Sequence, residues 1–181
     1  MKFAETPLKG AYTVEIEPIA DERGFFARTW CEREFSDQGL NPLLKQASVS
    51  FNHKKGTLRG MHYQTDGHQE CKLIRCSAGA VFDVIIDLRK DSPTFMKHFA
   101  VVLSSEDHRM LYVPEGFAHG FQTLTDGTEL FYQISEFYSP KHAAGVRWND
   151  PAFAIKWPEP PRVISARDQA FPDFSPERNR Q

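Results

Sequence analysis

Apolar and polar residues alternate with a period of two along most of the chain. AYTVEIEPI (11–19), GFFARTW (24–30), TLRGMHYQ (57–64), CKLIRCSA (71–78), AVFDVIIDLR (80–89), HFAVVLSS (98–105), RMLYVPEGFAHGFQTL (109–124) and ELFYQISEFY (129–138) are rich in β-branched and aromatic residues and are separated by Gly, Pro, Asp and Ser. This pattern predicts a succession of short strands, and hence a mainly β sandwich or jelly roll. Asp126-Gly127, between FQTLT and TELFYQI, is the best local signal for a hairpin pairing the strands on either side. Only CEREFSDQGL (31–40) reads as a helix, with acidic residues early and Gly39 as its stop. The stretch from Trp157 is too Pro-rich for regular structure, yet it keeps Ile164, Phe171 and Phe174. It is expected to wrap over the sheets, from 157 to 181.

With 181 residues the chain suits one domain with a sizeable core, spanning 1–181. A formal charge of −2 gives no overall attraction to phosphate backbones or anionic lipid, so neither nucleic acid nor a membrane is expected as a partner. No apolar signal core opens the sequence, and no run of about 18 apolar residues occurs, so a cytoplasmic protein is expected. Three cysteines, Cys31, Cys71 and Cys76, without a CxxC pair suit reduced thiols.

No GxSxG elbow, P-loop or GxGxxG stands between a strand and a helix, which sets aside serine-hydrolase, NTPase and dinucleotide readings. The chemistry-bearing residues sit instead on strands: Arg59 and His62, Lys72, Asp83 and Asp87, His119, Tyr132 and Tyr138, with Asp168 from the tail. Each has a plain structural reading. Lys72 could be an exposed strand residue, the two tyrosines could be core aromatics, and Asp87 with Arg89 reads as a solvated strand end. Asp83, between Phe82 and Val84, either turns outward or partners a neighbouring side chain, because an unpaired carboxylate inside a barrel is costly. PEGFAHG (114–120) is similar to the second metal-binding motif of cupins, but the strand expected to supply a His-x-His offers His62-Tyr63-Gln64. A cupin barrel without metal is therefore expected.

GTLRGMHYQ, KLIRCSAGAVFDVIIDLRKDSPTF, LSSEDHRMLYVPEGFAHGFQTL, FYQISEFYSP, WNDP and ISARDQAFP occur in an order that resembles the dTDP-4-dehydrorhamnose 3,5-epimerase family, from about Asp21 to Pro172. The resemblance implies a cupin-type jelly-roll barrel with short peripheral helices, a homodimer exchanging strands, no cofactor or metal, and a nucleoside-diphosphate 4-keto-6-deoxyhexose as substrate. C3, C5 or both would be inverted through an enolate. His62 matches the family's base and Asp168 its orienting carboxylate, Lys72 the cation near the C4 oxygen, and Tyr132 the returning acid. Arg23, Phe26, Arg28, Gln46, Ser48, Arg59, His119, Tyr138 and Arg167 fall at substrate-binding positions. Arg28 stands where the family usually has Glu, Ser48 where it has Asn, Ala143 where it has Glu, and Phe137 replaces the first of a Tyr pair. Arg28 offers only donors, which favours a cytosine or guanine base over thymine. A metal-dependent cupin, dioxygenase or sugar isomerase, and a sugar-nucleotide ketoisomerase on the same fold are the alternatives.

Overall fold

The computed structural model describes residues 1–176. Its strands are β1 (Lys2–Glu5), β2 (Tyr12–Glu15), β3 (Ile19–Asp21), β4 (Gly24–Phe26), β5 (Gln46–Asn52), β6 (Thr57–Gln64), β7 (Lys72–Ala78), β8 (Ala80–Asp87), β9 (His98–Ser104), β10 (Met110–Val113), β11 (Phe117–Thr123), β12 (Thr128–Ile134), β13 (Ala143–Gly145) and β14 (Val163–Ile164). Two short helices accompany them, α1 (Glu32–Asp37) and α2 (Ala166–Gln169). One sheet runs β1-β2-β10-β7-β12-β5 and the other β13-β6-β11-β8-β9, with β14 alongside β6 and a separate β3–β4 hairpin. This is the mainly β, cupin-type jelly roll with short peripheral helices that the sequence implies.

The alternation along each strand builds the layers. Ile74, Cys76, Ile85, Leu111, Phe121 and Leu130 fill the space between the two sheets. Phe35 of α1 packs with Val14, Leu73, Met110 and Tyr112 on the outside of the first sheet. Val84, Ile86, Met61 and Tyr63 on the outside of the second are covered by Val146, Phe153, Trp157 and Phe174. β8 thus buries side chains on both faces, which explains its nearly continuous apolar run. The C-terminal stretch is more regular than its prolines suggest. Val163 and Ile164 pair in parallel with Thr57 and Leu58, and Ser165 caps α2 by accepting a hydrogen bond from the Asp168 amide at 3.0 Å. Residues 177–181 of the expected wrap lie outside the described residues. No helix among the described residues is long and apolar enough to cross a membrane.

Two expectations are corrected. Asp126-Gly127 does form a turn, with Gly127 at φ +63°, but no hairpin: β11 pairs with β6 and β8, whereas β12 pairs with β5 and β7. Local chemistry sets the turn, and burial in two different sheets decides the pairing. Asp87 is no solvated strand end. It is fully buried, and its carboxylate accepts from Arg89 Nε at 2.9 Å and Nη2 at 2.8 Å and from Thr94 Oγ1 at 2.6 Å. Burial pushes its carboxyl upward, but the donors of Arg89, Ser92 and Thr94 prevail and hold it below the usual carboxylate range.

Asp87→Asn is expected to cost about 2–4 kcal/mol of stability at pH 7, since it leaves a built ionic network without its anion. Because the folded pKa is depressed, this contribution is complete above the ordinary carboxylate range and is lost as pH falls through the lowered value. Urea unfolding should therefore separate wild type and variant at pH 7 and converge in strong acid. Equal midpoints at pH 7 would overturn the assignment.

Candidate active site

Arg59 and His62 lie three residues apart on β6, which in an unbroken strand puts them on opposite faces. The pairing with β11 shows why they share one. His119 faces His62 and Phe121 faces Arg59, so β6 spends three steps where β11 spends two. The extra residue is a β-bulge that inverts the alternation. It forms where β6 and β11 approach closely: a Cβ on Gly60, at φ +136°, would stand 2.5 Å from the Gly120 Cα.

Both side chains enter a cleft of about 360 Å³. β6 and β11 of the second sheet give it Arg59, His62 and His119, and β5, β7 and β12 of the first give it Gln46, Ser48, Lys72 and Tyr132. Tyr138 and Arg167 close its rim. Asp168 stands behind His62, its Oδ1 2.8 Å from His62 Nε2 while its Oδ2 accepts from the Gly60 amide at 3.2 Å. Burial pushes the Asp168 carboxyl up. The His62 hydrogen bond and charge, with Gly60 and Ser165, outweigh it and hold the group below the usual range. Phe171 lies edge-on to the His62 ring at 5.7 Å, in space that Gly145 leaves free for lack of a Cβ.

A second buried pair stands on the same sheet beside His62, with His119 Nε2 2.9 Å from Asp83 Oδ2. Asp83 is therefore the partner of a neighbour rather than an outward-facing carboxylate. The His119 ring also meets Tyr132 edge-on at 5.9 Å. Burial raises the Tyr132 phenol well above its ordinary pKa, the Asp83 charge adds to this and Arg59 opposes it, so the hydroxyl keeps its proton at neutral pH. Lys72 is buried and ion-paired, its Nζ 2.8 Å from Glu70 Oε1. Arg59 is braced by Asn52 Oδ1 at 2.8 Å, and Gln46 Oε1 accepts the Tyr138 amide.

The cleft does not gather every sequence candidate. Arg23 pairs with Asp21 in the β3–β4 turn, and Phe26 and Arg28 line a separate depression with Met1, Glu17, Ile19 and Glu34. Arg28 Nη1 is bound to Glu34 Oε1 at 2.9 Å, so α1 holds its guanidinium away from the cleft. Conversely, the sequence pattern gave neither Gln64 nor Glu70 a role in the cleft. Both line the cleft as hydrogen-bonded partners, and a polar pair ending β6 and preceding β7 was the available signal.

The family model for dTDP-4-dehydrorhamnose 3,5-epimerase matches residues 5–176. The chain belongs to the dTDP-4-dehydrorhamnose 3,5-epimerase family. It is 41% identical over 177 residues to the dTDP-4-dehydrorhamnose 3,5-epimerase of Salmonella typhimurium, covering 95% of this chain and 94% of that protein. The crystal structure of the Bacillus anthracis enzyme of that name, with TDP and PPi bound, superposes with a TM-score of 0.92 at 40% identity, covering 96% of this chain and 99% of that one. ChmJ, a 3'-monoepimerase from Streptomyces bikiniensis solved with dTDP-quinovose, gives a TM-score of 0.84 at 31% identity, with 93% and 85% covered. Epimerase-family membership makes the chain an isomerase.

Proposed function

We propose that the protein is a sugar-nucleotide epimerase that inverts C3, C5 or both of a dTDP-linked 4-keto-6-deoxyhexose, within a single domain spanning the chain. The observation that carries this reading is the pairing of the His62–Asp168 dyad on one sheet with Lys72 and Tyr132 on the other, around one cleft. A C4 ketone acidifies the hydrogens on C3 and C5. His62 takes one of them as a proton: Nε2 is held by Asp168, leaving Nδ1 to accept it. The electron pair moves onto the C4 oxygen, where the Lys72 ammonium stabilises the enolate. Tyr132, still protonated, returns a proton to carbon from the opposing sheet, and solvent restores both residues. Arg59 and Arg167, beside the sugar end, suit the diphosphate oxygens.

Arg23, Phe26 and Arg28 fit this scheme through a second copy of the chain. Ile19 and Phe26 of the β3–β4 hairpin are 74% and 77% exposed, and β5, at a sheet edge, leaves Val49 and Phe51 uncovered. A homodimer in which each hairpin reaches the neighbour's cleft would cover this apolar surface and complete the nucleotide site. Glu34 already takes one donor of Arg28, which weakens the argument from its donors for cytosine or guanine. The dTDP named for family members supports dTDP instead.

Incubation of dTDP-, CDP- and GDP-linked 4-keto-6-deoxyhexoses in heavy water, followed by NMR at C3 and C5, tests both statements. Deuterium should enter next to the ketone, with the dTDP sugar turned over fastest and dTDP binding most tightly by calorimetry. Absence of exchange with all three would remove the epimerase reading, and tighter binding of CDP or GDP would remove the choice of base.

A further inference from the structure

Glu70 lies inside the cleft yet takes no part in the proton transfers. Its side chain is 12% exposed and that of Lys72 10%, so the pair is largely withdrawn from water. Each carboxylate oxygen has one donor: Oε1 takes Lys72 Nζ at 2.8 Å and Oε2 takes Gln64 Nε2 at 2.8 Å. The Gln64 amide is itself fixed, since its Oε1 accepts the Ser139 amide at 2.6 Å and its Nε2 also donates to the His68 carbonyl at 2.9 Å. Gln64 belongs to β6, the strand of the base, and Lys72 to β7 of the facing sheet. The chain Gln64–Glu70–Lys72 therefore ties one half of the site to the other.

A lysine carries its charge on a flexible four-carbon stem, and an ammonium stabilises an enolate only from a fixed place. One hydrogen of Lys72 is spent on Glu70, which leaves two for a substrate oxygen. We infer that Glu70 is a positioning residue, holding the Lys72 ammonium in register with His62 through Gln64. The inference rests on the reading of Lys72 as holder of the enolate oxygen. It gives Glu70 a role in turnover rather than in ground-state affinity, because the aligned charge matters most once the oxygen becomes negative.

A double-mutant cycle tests it, read by turnover of the dTDP-linked 4-keto-6-deoxyhexose and by deuterium wash-in, with thermal melting as the fold control. Glu70→Gln should lower kcat by about 10- to 100-fold and leave KM within about threefold, the signature of an interaction made chiefly in the transition state. Glu70→Asp, which keeps the charge but is too short to reach both donors, should lose kcat in the same sense. In a Lys72→Met background Glu70→Gln should cost no further kcat and should raise the melting temperature, since Lys72→Met leaves a buried carboxylate without its cation. Wild-type kcat in Glu70→Gln, a rise in KM alone, or the same fractional loss in both backgrounds would overturn the inference. A Lys72→Met enzyme with wild-type kcat would instead overturn the reading of Lys72, and the cycle separates that result from the others.

Discussion

Replacing His62 with alanine is expected to lower turnover by about 10² to 10⁴, the usual contribution of a positioned acid or base. Both deuterium wash-in and net inversion should fall together, because no proton leaves carbon without the base. The barrel should survive, since His62 is the half-exposed partner of its dyad and the core on either side does not depend on it. Some stability will be lost all the same: Asp168 stays buried with the Gly60 amide but without the imidazole that most lowers its pKa. That contribution has a definite sign in pH. The folded carboxyl is depressed, so the wild-type advantage is complete above the ordinary carboxylate range and disappears as pH falls through the lowered value. Melting wild type and variant at pH 7 and in strong acid should show the gap close. A fully active His62→Ala enzyme would sink the mechanism.

Tyr132→Phe should separate the two halves of the reaction. The phenyl ring can keep its edge-on contact with His119, but the hydroxyl that donates from the first sheet is gone. Net inversion should drop by about 10² to 10⁴, whereas wash-in of deuterium at the carbon next to the ketone should persist, with His62 returning what it removes to the same face. NMR of substrate incubated in heavy water reads both quantities in one sample. Equal loss of exchange and inversion would mean that Tyr132 only shapes the cleft.

The strand pattern was legible because most strands of the two main sheets have at least one face in the core, as β8 shows on both sides, whereas the β3–β4 hairpin is exposed throughout. The helix at 32–37 was legible from its acidic start and from Gly39, which adopts φ +70° just past its end. What could not be read was which strands pair. The turn at Asp126-Gly127 looks like a hairpin over a few residues and is a crossing between sheets on the scale of the barrel. Asp87 looked solvated because its partners, Arg89, Ser92 and Thr94, come from the loop that follows it, where polarity suggests water rather than a closed network. In the site, His62, Asp168, Lys72 and Tyr132 stood out by residue type and motif. That Arg59 shares a face with His62 depends on a bulge, and periodicity runs against it. The separate position of Arg28 depends on Glu34, six residues away on a helix whose orientation no local pattern specifies.

The carboxylate that orients His62 arrives from 106 positions further along the chain. At a synthesis rate of about 5–20 residues per second, roughly 5–20 s pass between the appearance of the histidine and that of its partner. Until α2 docks on β6, a growing chain holds the histidine without the group that orients it. On the proposed mechanism the paired base is complete only once α2 has been made and docked, and a copy lacking α2 should lose turnover even where its barrel remained folded.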